Sequence, residues 1–225
     1  MTDTFVREVD ENLRRDRLRD FARAYGIWVI AGVVLFLAAA GGWLYWQQHE
    51  LDTSAKQVDQ LAATFKDIGA GNIAGPAKQL DTLSSSRSEA VRASALFTRA
   101  AIAIEQNDMK TATAKFRQIA SDDSLPKPYR DLALIRQTAL EFDRLPPDQV
   151  IARLQPLTKP GDPWFGSAGE MTAMALIKQG KKAEAGRLFL TIAKDTSAPD
   201  AIRARAVQIA GTLGVDASGA MPEAQ

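Results

Sequence analysis

Side chains that commonly do chemistry are scarce in this sequence. Its 225 residues include one histidine, His49, and no cysteine. That excludes a thiol nucleophile, a cysteine-ligated metal, a disulfide and the cysteine that would carry a lipid anchor. One histidine at the border of an apolar run makes neither a His-based metal site nor a Ser-His-Asp triad, and it reads as an interfacial polar residue. There is no Gly-x4-Gly-Lys-Ser/Thr phosphate loop, dinucleotide fingerprint, HExxH or Gly-x-Ser-x-Gly elbow. The adjacent carboxylates Asp122 and Asp123 begin a turn, where acidic residues serve helix ends and solvent rather than paired acid–base work. With 28 basic and 27 acidic residues the net charge is +1, which gives no footprint for nucleic acid. The expectation is therefore a non-enzyme with no catalytic residue, cofactor, metal or small-molecule substrate. One motif stands out for binding, Pro163-Trp164-Phe165. Trp164 and Phe165 are candidate anchors for a partner peptide, as aromatics are at interaction hot spots. The competing and favoured reading is that both start a helix and pack inward.

The elements that would position such a motif follow from a repeat. Glu105-Gln106-Asn107-Asp108-Met109-Lys110 is followed by Ala112 and Phe116; 73 residues later Lys178-Gln179-Gly180-Lys181-Lys182 is followed by Ala185 and Phe189. At the same offset Ile119 matches Ile192, Asp122 matches Asp195, and Pro126 matches Pro199. A weaker unit lies between, with Val150, Leu154 and Leu157 in equivalent places after a two-residue slip. Leu80, Phe116, Leu154 and Phe189 are then separated by 36, 38 and 35 residues. Ala112, Phe116, Ile119, Leu154, Leu157, Ala185, Phe189 and Ile192 are the expected repeat core. Each unit reads as two helices joined at Asn107-Asp108 or Gly180, since Asn and Gly tolerate left-handed backbone angles. Alanine faces (Ala93, Ala100, Ala101 and Ala103; Ala173 and Ala175) allow close helix packing. The Ala-x3-Phe spacing with a later Pro resembles the tetratricopeptide consensus in part; its first-helix Trp and Tyr are absent. The expected fold is all-α, an N-terminal transmembrane helix followed by a tetratricopeptide-like α-solenoid over residues 50–213. Its closing helix runs from Asp200 to Leu213, and residues 214–225 are read as a disordered tail.

Upstream, Gly26 to Trp46 (GIWVIAGVVLFLAAAGGWLYW) carries no charge. At ~1.5 Å per residue these 21 residues reach roughly 31 Å, close to a bilayer's hydrocarbon thickness. Its Leu, Ile, Val and Phe residues, Phe36 among them, favour insertion by roughly 3 to 5 kcal/mol in sum. Trp28 at one end, and Trp43, Tyr45 and Trp46 at the other, sit as interfacial belts. Ala38-Ala39-Ala40 offers a small-x-small cleavage site, but the apolar run continues past it, unlike a signal peptide. In the arm of residues 1–25, Arg14, Arg15, Arg17, Arg19 and Arg23 crowd toward the run. The positive-inside rule then places the N-terminus in the cytoplasm and the repeats outside it.

Charged arm, single span ending GWLYWQQHELDTSAKQ, then repeats containing AMALIKQGKKA (Ala173 to Ala183): along nearly its whole length the sequence resembles the YfgM-like ancillary subunits of the SecYEG translocon. The resemblance implies a single-pass protein of the bacterial inner membrane with a periplasmic domain. Its implied partners are the translocon and a membrane-anchored periplasmic chaperone, and its implied role is to assist proteins emerging from translocation. A longer, Arg-rich arm sets this chain apart from the family. A repeat scaffold for another envelope assembly, such as cytochrome maturation or cell-wall machinery, is the alternative.

Overall fold

The computed structural model describes residues 3–220, with side chains from Ile27 onward except those of Val29 and Ile30. Helix α1 runs Asp3–Gly69, followed by α2 (Ala74–Leu83), α3 (Glu89–Glu105), α4 (Met109–Ala120), α5 (Lys127–Glu141) and α6 (Pro147–Leu154). Then come α7 (Phe165–Lys178), α8 (Lys182–Lys194) and α9 (Asp200–Thr212). Short 3-10 turns lie at Gln155–Leu157 and Ser218–Ala220, and no strand occurs among the described residues. The chain divides into two compact units, Met1–Lys56 and Gln57–Gln225.

The described part of the first unit is the portion of α1 from Asp3 to Lys56. The described large apolar side chains between Ile27 and Trp46 are 51–76% exposed. Trp43 and Trp46 approach to 5.8 Å between ring centroids, and Tyr45 stacks on His49 at 6.5 Å. Among the described residues no helix is long and apolar enough to cross a membrane, so the expected transmembrane helix over Gly26 to Trp46 is not shown. Gly26, the side chains of Val29 and Ile30 in that run, and those of Arg14, Arg15, Arg17, Arg19 and Arg23 lie outside the described residues.

The second unit is a stack of helix pairs: the end of α1 from Gln57 with α2, then α3/α4, α5/α6 and α7/α8, closed by α9. The second helices share one pattern. Buried residues recur at i, i+4 and i+7: Pro76, Leu80 and Leu83; Ala112, Phe116 and Ile119; Val150, Leu154 and Leu157; Ala185, Phe189 and Ile192. That spacing makes one helical face, and each face lies in a hydrophobic cluster with the adjoining first helices. The eight expected core residues are each at most 4% exposed. Small residues set the closeness of packing: a Cβ on Gly169 would sit 3.0 Å from Ile192 Cδ1. Ala93, Ala100, Ala103, Ala173 and Ala175 are buried, whereas Ala101, expected with them, is exposed because it falls on the opposite face of α3.

Turns follow local chemistry. Asn107 takes φ 58° and Gly180 φ 77° at the two three-residue pair turns, and Asp108 caps α4 by accepting from Thr111 N at 3.0 Å. The α5/α6 turn, Phe142 to Pro146, has five residues instead of three, which is the two-residue slip seen in the sequence.

The expected disordered tail is corrected as far as Ala220. Ala217 and Ala220 are buried, and Val215 packs against the same cluster as Phe189 and Ala210. A Cβ on Gly186 would stand 2.7 Å from Val215 Cγ2, so only glycine there lets the strap lie on α8. Residues 221–225 lie outside the described residues.

Candidate partner-binding surface

One device recurs at two joints between pairs and again in the C-terminal strap. Asp122 Oδ1 accepts from the Ser124 backbone N–H at 3.0 Å and the Ser124 hydroxyl at 2.5 Å. Asp195 does the same for Ser197 (2.9 and 2.6 Å), and Asp216 for Ser218 (3.0 and 2.7 Å). These are Asx turns, in which a side chain replaces the backbone acceptor of a tight turn. They also brace the stack. Arg92 reaches from α3 to Asp122 at 3.0 Å and to Ser124 Oγ at 2.6 Å, and the Gly161 N–H donates to Asp195 Oδ2 at 3.0 Å. The hydrogen bond from Ser124, then the charge of Arg92, holds Asp122 below the usual carboxylate range; those from Ser197 and Gly161 do so for Asp195. The adjacent acids Asp122 and Asp123 are thus split between a turn and an exposed partner of Arg130. They form no paired-carboxylate site.

First helices leave one face uncovered. Ile104 on α3, Tyr129 on α5 and Met174 on α7 are the large apolar residues exposed there. On α3 the stripe is Ala90, Ser94, Phe97, Ala101 and Ile104; on α5 it is Tyr129, Leu132, Arg136 and Ala139. Contacts join neighbouring elements of the stack. Phe97 meets Tyr129 at 6.4 Å, Lys178 Nζ lies 2.9 Å from Asp143 and 4.3 Å above the Phe142 ring, and Arg205 binds Glu170 through two bonds of 2.5 and 2.7 Å. Glu170 raises the Arg205 pKa, chiefly through its hydrogen bond. A mixed apolar and charged face of this kind suits a polypeptide partner.

The structure separates Trp164 from Phe165. Phe165 opens α7, is 1% exposed and packs with Phe189 and Ile192, so it is unavailable as a partner anchor. The reason is helical phase: Phe165 falls on the α7 side that faces α8. Trp164, one residue before the helix, is half-buried; it packs on the α5–α6 cluster and also lines a groove. Lys127, Pro128 and Asp131 from the start of α5 complete that groove with Asp162, Pro163 and Trp164, enclosing about 380 Å³. Lys127 pairs with Asp131 at 2.5 Å, and Trp164 N donates to Asp162 Oδ1 at 2.8 Å. Pro128, Asp131 and Asp162 carry no local signal of their own; the repeat places Pro163 where Pro126 and Pro199 stand and so points to a turn there, but the likeness of Asp162 to Asp122 and Asp195 is visible only in the structure, where each carbonyl accepts from the N–H three residues on.

Among the described residues no group of three or more His, Asp or Glu could hold a metal ion. The geometry offers surface and grooves, which define a helical-repeat interaction scaffold. The family comparison agrees: residues 19–209 match the tetratricopeptide repeat-like domain, and the chain belongs to that family. Such repeats generally mediate protein–protein interactions. No curated protein and no solved structure matches the chain significantly.

Proposed function

We propose that this chain is a membrane-anchored, non-enzymatic adaptor of the bacterial inner membrane. Gly26 to Trp46 spans the bilayer, the Arg-rich arm lies in the cytoplasm, and the repeats stand in the periplasm. There they associate with the Sec translocon and a membrane-anchored chaperone and assist proteins emerging from translocation. The observation carrying this reading is the apolar run of α1, whose described large side chains are 51–76% exposed along the helix. Exposed apolar surface on that scale is unfavourable in water and favourable in lipid. The family match begins at residue 19, upstream of the run, which supports a retained segment rather than a removed leader. The translocon as partner rests on the resemblance through GWLYWQQHELDTSAKQ. Tethering fits a binding scaffold, because it raises the effective concentration of clients at the membrane.

Purification of the full-length chain in mild detergent, with mass spectrometry of what accompanies it, tests the partner. Translocon subunits should accompany the full chain and be lost from one lacking residues 50–225. Recovery of a different envelope assembly in their place contradicts the Sec assignment and leaves a tethered scaffold.

A further inference from the structure

The Trp164 groove departs from the Asp-x-Ser turns at Asp122, Asp195 and Asp216. Where Asp122, Asp195 and Asp216 are each followed two residues on by a serine whose hydroxyl closes the turn, Asp162 is followed by Trp164. Trp164 keeps the backbone bond of that turn but cannot supply the hydroxyl one. Part of its ring covers the α5–α6 cluster, and the rest forms a wall. Pro128 and Pro163, which have no N–H to donate, line the groove with it, so the groove offers few backbone donors to a strand and favours side-chain contacts. It is held open in advance: Gly161 is tied to Asp195, Asp162 N to Lys159 O at 3.0 Å, and Phe165 N to Asp162 O at 2.9 Å. Preformed walls reduce the ordering cost of binding. The charge is one-sided. Lys127 is taken by Asp131, whereas Asp162 Oδ2 has no hydrogen bond or ion pair among the described residues.

We infer that this groove binds an unfolded protein segment in which an apolar side chain is followed within two residues by Lys or Arg. The apolar group enters between Trp164, Pro128 and Pro163; the cation reaches Asp162 Oδ2 and the indole face, where both attract it. The inference rests on the adaptor reading and specifies one client-binding site within it.

The test uses the full-length chain in detergent micelles and fluorescein-labelled octapeptides carrying Leu-Pro-Leu followed by Arg-Lys, Gln-Gln or Glu-Glu. Anisotropy should show the basic peptide binding at least about tenfold more tightly than the acidic one, a preference that shrinks in Asp162→Asn and with added salt. Trp164→Ala should weaken binding by about tenfold or more, as loss of an aromatic anchor does. Because Trp164 also packs inward, a second readout spares the fold: with 5-fluorotryptophan, the ¹⁹F resonance assigned by Trp164→Phe should move on adding the basic peptide. No binding, equal binding of all three peptides, or an unmoved Trp164 resonance overturns the inference. Binding that ignores Trp164 while translocon subunits still co-purify removes the groove and leaves the adaptor reading intact; loss of co-purification alone does the reverse.

Discussion

Phe165 and Trp164 are adjacent, yet one fills the core and the other walls a groove, and their substitutions should separate accordingly. Phe165→Ala removes a fully buried ring beside Phe189 and Ile192 and should cost about 3–5 kcal/mol in urea denaturation of the full chain. Asp195→Ala deletes the acceptor for Ser197 N, Ser197 Oγ and Gly161 N; about 1–2 kcal/mol is expected. Asp123→Ala, at a carboxylate that is 94% exposed, should stay within about 0.5 kcal/mol of wild type. Comparable losses at Asp123 and Asp195 would contradict the turn account. The residue scale was partly legible in sequence. Ala112, Phe116 and Ile119 announce themselves because one helical face demands i, i+4, i+7 spacing. The groove does not, because Pro128 and Trp164 are brought together only by the stacking of pairs.

At the scale of elements, the joints carry the charges. Asp81 on α2 is pushed up by partial burial but held lower by Lys115 (2.7 Å) and Arg99 (3.4 Å), and the net shift is downward. Glu141 on α5 balances burial against Arg153 on α6 (2.5 Å), with Gln137 and Arg117 adding to the lowering, again with a net downward shift. A carboxylate whose pKa is lower in the folded chain binds its proton less readily there than when unfolded. Its stabilisation is therefore full above the unfolded value, about 4, and is lost as pH falls through the lower folded value. The urea midpoint should hold from pH 7 to about 5 and drop below about 4. Replacing Glu141 with Gln should flatten the drop. The C-terminal strap offers a second element-scale prediction: Gly186→Ala puts a Cβ against Val215 and should speed amide exchange from Leu213 to Ala220 while sparing α3 and α4. This strap was unreadable as order because Val215, Ala217 and Ala220 each bury little area. The Asp216-x-Ser218 turn, repeating Asp122-x-Ser124 and Asp195-x-Ser197, is the signal that could have revealed it.

At the scale of the whole molecule, the repeat scaffold offers surfaces for polypeptide, and the proposed adaptor role depends on where it is held. In the proposed role, Gly26 to Trp46 holds it in the membrane with the repeats on the outer side. The absence of native cysteine makes accessibility labelling unambiguous. Thr191→Cys, at an exposed position on α8, and Thr4→Cys in the arm are each expressed in the full chain and treated in spheroplasts with a membrane-impermeant maleimide. A tether of this orientation gives prompt labelling at position 191, labelling at position 4 only after permeabilisation, and retention of both chains in the membrane pellet after an alkaline wash. Labelling at position 4 with position 191 protected, or release of the chain by the wash, would contradict it.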